Sequence, residues 1–414
     1  MVNWNKIRKQ FPATKRFTYL NAAGGSPISK HTAREGRRFY DEICARGDTL
    51  WTEWLRRVEE GRGKVANFIN ADESEIAFTL STSLGMNLIA GILQGKGDVI
   101  TMDDEFPSST FPWLNLGYNV HFVKPRKCVY SLKDIEEKIN RKTKILVTSH
   151  VQYRTGFKQD LVSLGKLCKR NNLIFVVNAS QSAGAMPIDV KKANIDFMVF
   201  KSLKWLMAGY GIAVIYINKR WFNKINYPIA GWRSVNNPAL MDNKMLDLKN
   251  EASELEVGSP HFPCICALSG ALDFLNKIGK KNIQRRIYDL GDYVVKRMKD
   301  AGLEIISPLD KKYRSGITII KIENPELVVK KLYKKNIIVS ARGGGLRVSV
   351  HIYNNKKDVD TFVSELMKTQ QKGECHRSME NIRVKPRLLT DGKHQGQTSS
   401  MENIRVKPRL LTDD

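Results

Sequence analysis

The 414-residue chain is short of acid: 42 Asp and Glu residues stand against 68 Lys and Arg, a formal charge of +26. A balance of this kind attracts anions and nucleic acid at low salt. The basic residues are scattered, however, as Lys191-Lys192, Lys280-Lys281 and Lys334-Lys335, through apparent surface helices. Zinc-finger spacing, an RNP signature and a basic region with heptads are all missing, so nucleic-acid binding beyond non-specific charge attraction is not expected. Cysteine is also sparse. Cys44, Cys128, Cys168, Cys264, Cys266 and Cys375 form no Cys-x-x-Cys pair, and Cys264-Ile265-Cys266 has no second pair to complete a metal site. Free, mostly buried thiols in a reducing compartment are expected, with no metal centre. No apolar run approaches membrane-spanning length, and the polar, basic opening Met1–Arg8 holds no secretory core. The expectation is a cytoplasmic protein without a membrane segment.

Apolar residues make up 42% of the chain, enough for a large core and for two or three domains. From about residue 60 to 220, strand-like runs alternate with helical patterns, which predicts an α/β domain with a mostly parallel sheet. Strands are expected at Ile145–Thr148, Leu173–Val177, Phe197–Phe200 and Ile212–Ile217, all short, apolar and rich in β-branched residues. Helices are expected at Glu53–Asn70, Leu84–Leu93, Ser131–Asn140 and Asp160–Arg170. From about Phe262 the texture changes. Helices Ala267–Ile278 and Ile283–Ala301 precede strands Gly316–Ile322, Ile337–Ala341 and Leu346–His351, and a last helix covers Lys357–Met367. This part reads as a smaller α+β domain. The peptide Ser378–Asp391 recurs as Ser400–Asp413, short, polar and broken by proline, and residues 370–414 are expected to lie outside the fold as a disordered tail.

One stretch carries more chemistry than the others. Asn178 ends an apolar strand, Lys204 follows the next strand, and Ser180-Gln181-Ser182-Ala183-Gly184 makes a turn between them. This layout suits a site that holds an aromatic aldehyde cofactor by its ring nitrogen at one end and by a lysine imine at the other. Burial lowers a lysine's pKa and makes its amine nucleophilic. Ser81-Thr82-Ser83 lies between an apolar strand and a helix start, where backbone N–H groups and hydroxyls suit a phosphate; the plainer reading is an N-cap. Arg347 follows Gly343-Gly344-Gly345 on a strand, and its guanidinium fork matches a substrate carboxylate.

With these residues in view, the chain resembles the class V aminotransferase group of fold-type I pyridoxal-phosphate enzymes, which includes cysteine desulfurases and selenocysteine lyases. The resemblance runs from Tyr19-Leu20-Asn21-Ala22-Ala23-Gly24 to about Met367, and takes in Asp104-Glu105-Phe106-Pro107-Ser108, Pro112-Trp113 and Ser149–Gly156. It implies a large α/β domain over residues 21–261 with a mostly parallel seven-stranded sheet. A smaller C-terminal domain over 262–369 and an N-terminal arm over 1–20 belonging to it are implied as well. Lys204 looks like the Schiff-base lysine. Thr82 and Ser83 look like phosphate ligands, with Lys201 beside the phosphate. Gln181 matches a contact to the ring hydroxyl, and Asn178 faces the pyridine nitrogen. Arg347, with Asn21 and Ala23, matches the substrate site. Gly258-Ser259 matches a pair that lends a phosphate contact from a neighbouring subunit, so a homodimer is implied.

Three departures limit the activity that the resemblance implies. The loop Ser340-Ala341-Arg342-Gly343-Gly344-Gly345 has no cysteine where desulfurases carry one. Leu203 replaces the histidine of their His-Lys pair, and Phe106 or Pro107 stands where an imidazole stacks on the ring. Asn178 replaces an aspartate that keeps the pyridine nitrogen protonated, and a neutral amide supplies no charge for that. An aminotransferase or C–S lyase acting on a small α-amino acid is expected, with an epimerase-like enzyme or a non-catalytic, polyanion-binding relative as alternatives.

Overall fold

The computed structural model describes residues 2–383, with side chains through residue 370. Its main sheet has seven strands. In sheet order they are Ile76–Thr79, Ala213–Ile217, Phe197–Lys201, Ile174–Asn178, Thr143–Ser149, Asp98–Met102 and Val120–Val123. Ala213–Ile217 runs antiparallel to both neighbours, and the remaining pairs are parallel. The central strands are buried on both faces, as their β-branched runs require. Alternate residues serve opposite sides: Leu146, Phe175 and Val177 enter one apolar cluster, and Ile145, Val147, Ile174 and Val176 enter another.

The C-terminal part holds a small antiparallel sheet of Ser340–Arg342, Gly345–Ser349 and Ile317–Ile320. The first two strands are joined by Gly343 and Gly344, at φ 66° and 77°. Two consecutive positive φ values define the tight hairpin turn that glycine accommodates best. A third cluster, including Leu290, Val294, Val348 and Phe362, backs this sheet. The N-terminal arm attaches here: Thr18–Tyr19 pairs with Ile337–Ile338, and Arg8 bonds Asp358 at 2.6 Å.

Several expected boundaries move. The helix expected from Ala267 begins at Phe262, because Pro263 sits in its first turn, where a missing N–H costs nothing. It packs against Lys30–Arg46 and Trp51–Ile69, with Phe262 5.4 Å from Phe39 and 5.7 Å from Trp54. Residues 1–369 thus form one compact unit, and no break in packing falls at 261/262. The helix expected over Ser131–Asn140 shortens to Leu132–Glu136, with Ser131 as its cap. The last helix, Lys356–Arg383, takes in residues 378–383 of the repeated peptide; the rest of both copies lies outside the described residues.

Candidate active site

The carboxyl ends of Thr143–Ser149, Ile174–Asn178 and Phe197–Lys201 lie side by side, with Ser149 paired to Asn178 and Asn178 to Val199. The crevice beyond such ends is where parallel sheets bind ligands. A cavity of about 290 Å³ opens there. It gathers Ala23, Thr82, Ser83, Phe106, Asn178, Gln181, Lys201, Lys204 and Arg347 from segments up to 324 residues apart in the chain. A larger groove of about 910 Å³, between Tyr130 and Tyr313, holds none of these residues.

Lys204 is the focus. Burial, then the positive charges of Arg347 and Lys201, bring its amine down to about 7 from an ordinary 10.5. Its Nζ stands 5.7 Å from the centroid of the Phe106 ring, which is 44% exposed and so keeps a free face. Phe106 in turn meets Tyr153 edge-on at 5.2 Å. The turn from Asn178 to Lys204 closes tightly at Gly184. Its φ is 100°, and a Cβ there would lie 2.2 Å from the Trp205 carbonyl oxygen.

That closure fixes Gln181. Trp205 Nε1 donates to Gln181 Oε1 at 2.9 Å, and Gln181 Nε2 donates to the Ala23 carbonyl at 3.0 Å. Behind them lies His351, which burial keeps neutral, at about 4. The Ile352 N–H donates to its Nδ1, so Nε2 carries the proton and bonds the Trp205 carbonyl at 2.9 Å.

At the other end of the cavity, the helix Thr82–Ile92 begins with Ser81 as its cap, accepting from the Leu84 N–H. Its first N–H groups and the Thr82 and Ser83 hydroxyls stand beside Lys201, a fit for a dianionic phosphate. Both the cap reading and the anion reading hold for this turn, because the cap uses Ser81 and leaves Thr82 and Ser83. Thr82 Oγ1 lies 3.2 Å from Ser180 Oγ.

Arg347 faces the same space from the small sheet. Burial, then the like charge of Arg342, brings it down to about 10. Its Nε donates to Ser340 Oγ at 3.1 Å and its Nη1 to the Tyr153 carbonyl at 3.4 Å. Neither partner is charged, so the guanidinium is a buried cation suited to an incoming carboxylate.

Two expected site residues stand elsewhere. Asn21 does not line the cavity. Its side chain folds under Gly24, and its Oδ1 accepts from Ser340 Oγ at 3.1 Å, so it reaches the cavity only through Ser340 and Arg347. Ser259 is also outside the cavity of its own chain. Other functional neighbours escape sequence reasoning: Ser109, Ser180, Tyr153, Trp205 and His351. Glu105 belonged to a quoted motif without a role. It is fully buried and accepts from the Ser149 N–H at 2.6 Å and Gln152 Nε2 at 2.7 Å. Among the described residues no cysteine lines the cavity, and residues 343–344 make a tight turn without one.

The fold and cavity together define a fold-type I pyridoxal-phosphate enzyme. The aminotransferase class-V family model matches residues 18–362, so this chain belongs to that family. It is 29% identical to a probable cysteine desulfurase of Pyrococcus abyssi and 26% identical to the uncharacterized aminotransferase YcbU of Bacillus subtilis. Each match covers 87% of this chain and 96% of the relative. Among solved structures, the apo cysteine desulfurase of Thermococcus onnurineus superposes with a TM-score of 0.82 at 26% identity, covering 90% of this chain and 99% of that one. Family membership sets aside the non-catalytic alternative. Several scattered basic side chains are also engaged by acids, as where Lys191 and Lys219 both bond Asp72 at 2.7 Å.

Proposed function

We propose that this cytoplasmic enzyme acts as a homodimer on a small α-amino acid, as an aminotransferase or C–S lyase. The observation that carries the reading is a buried amine near neutrality, Lys204, sharing one cavity with a buried arginine that has no acid partner. Pyridoxal phosphate, when bound, supplies an electron-withdrawing ring that weakens the bonds at the substrate's α-carbon. The residues present fit it: a nucleophilic amine, an anion-binding helix start and a free aromatic face. Lys204 Nζ would hold the cofactor and, once the substrate's amine displaces it and leaves it free, would take and return the proton at the α-carbon. Thr82, Ser83 and Lys201 hold the phosphate, with Ser259 of a second copy. Phe106 covers one ring face. Gln181, locked by Trp205 and Ala23, meets the ring hydroxyl, and Asn178 meets the ring nitrogen. Arg347 orients the substrate carboxylate so that the α-hydrogen faces Lys204, with Ala23 beside it and Asn21 acting through Ser340.

Persulfide chemistry on an enzyme thiol has no support, since no cysteine among the described residues lines the cavity. A second reading, epimerisation, is favoured by Asn178, because a neutral amide at the ring nitrogen suits reactions that stop at proton transfer. The test is a screen of amino acids with purified holoenzyme, following spectral change and release of keto acid, ammonia or sulfide, alongside loss of optical rotation. Keto acid, ammonia or sulfide from any substrate supports the first reading, and racemised substrate alone supports the second. No response to any amino acid would contradict both.

A further inference from the structure

We infer that Asn178 is fixed as a hydrogen-bond donor toward the ring nitrogen, so that this site holds its cofactor with an unprotonated pyridine. The inference rests on the cofactor reading above and deepens it. Its basis is the orientation of one amide. The backbone N–H of Ser180 bonds Asn178 Oδ1 at 3.0 Å. A backbone N–H only donates, so the carbonyl end of the amide must lie there; reversing the amide would set two donors against each other. The NH₂ end is therefore the end left for other partners.

One of its hydrogens goes to Ser109 Oγ at 2.9 Å. A hydroxyl can accept or donate, so Ser109 accommodates this polarity, and the Ser180 N–H is the contact that sets it. The second hydrogen of Nδ2 remains for the cavity that Asn178 lines.

A ring nitrogen meeting an N–H donor has to accept, and a pyridinium has no lone pair to accept with. Residue 178 therefore favours the neutral ring, where an aspartate would favour the cation. A neutral ring withdraws less charge from the α-carbon and favours proton transfer there over more demanding bond cleavage.

The experiment uses holoenzyme loaded with pyridoxal phosphate carrying ¹⁵N in the ring. The wild-type signal is expected at the neutral-pyridine shift and unchanged from pH 6 to 9, and Asn178→Asp should move it to the pyridinium shift. A pyridinium shift in wild type overturns the inference. Apoenzyme affinities give a second readout. Ring-N-methylated cofactor, which cannot accept, should bind wild type about five- to tenfold more weakly than the natural cofactor, the worth of a net hydrogen bond. Asn178→Asp should narrow that difference, and equal affinities in wild type overturn the inference. Borohydride trapping with mass analysis separates the two levels. A mass increment at Lys204 with a pyridinium signal overturns the amide polarity alone, whereas no uptake of cofactor overturns the cofactor reading and this inference with it.

Discussion

Lys204 and Arg347 line one cavity as two buried cations, and the charge of Arg347 is the largest influence after burial holding the Lys204 amine near 7. A lone buried cation would be lowered less, and a carboxylate neighbour would oppose the lowering. On the proposed reading, the pair would prepare two events at once: a nucleophilic amine for the aldehyde, and a guanidinium without an acid partner among the described residues for the amino acid's carboxylate.

Chemical labelling tests this coupling. In the apoenzyme, acylation of Lys204 should rise with a midpoint near pH 7, well below that of surface lysines. Arg347→Met should move the midpoint upward by relieving the like charge. An unchanged midpoint, read by mass analysis of the labelled peptide, would mean the two side chains do not interact.

Apoenzyme stability should carry the same signature. Because the folded value, about 7, lies below the unfolded one, about 10.5, the unfolded chain binds a proton at Lys204 through that window that the folded chain does not. Stability from this group therefore rises with pH from about 7 to 10.5, and the full penalty applies below about 7. At about 1.4 kcal/mol per pKa unit the penalty is on the order of a few kcal/mol. Lys204→Met, which keeps the packing, should be more stable than wild type in denaturant titrations at pH 7, with the gap closing toward pH 10.5.

Substrate recognition should depend on the fork of Arg347. Arg347→Lys keeps the charge but loses the two-pronged geometry, so KM for a responding amino acid should rise at least tenfold, about 1.5–3 kcal/mol for a charge-assisted hydrogen bond. Cofactor affinity should change much less. Equal losses in both would place Arg347 at the cofactor rather than the substrate.

Glu105 should matter for the scaffold as well as the site. Removing it in Glu105→Ala leaves the Ser149 N–H, the Ser149 hydroxyl and Gln152 without their acceptor in a dry interior, at about 1–3 kcal/mol for each stranded group. Thermal unfolding should fall markedly. Glu105→Gln, which keeps one acceptor oxygen and can donate to the Ser149 hydroxyl, should recover much of the loss.

The strands of the sheet were legible because short β-branched runs buried on both faces have few other uses. Phe197–Lys201 and Ala213–Ile217 lie within a residue of their expected limits. Lys30–Arg46 was not legible: only Thr32 and Phe39 on it are buried, and charged residues crowd the rest of its length. Pro107–Asn115 was hidden by Pro112 inside it and by its short length. In the site, most of the expected residues line one cavity: Thr82 and Ser83 start a helix and Asn178 and Lys201 end strands, while Arg347 stands mid-strand and Ala23 and Gln181 in turns. Asn21 stands one contact away from the cavity, because its side chain bonds Ser340, which in turn bonds Arg347. The direction of the Asn178 amide was beyond reach for a different reason: it is set by the Ser180 backbone N–H and accommodated by the Ser109 hydroxyl 69 residues away, and residue identity encodes neither.

The central claim is that Lys204 is the amine that carries pyridoxal phosphate. Holoenzyme reduced with borohydride, digested and mapped by mass spectrometry tests it directly. The cofactor adduct should fall on Lys204 and vanish in Lys204→Ala together with the yellow absorbance. An adduct on another lysine, or none in a folded wild type supplied with excess cofactor, would contradict it.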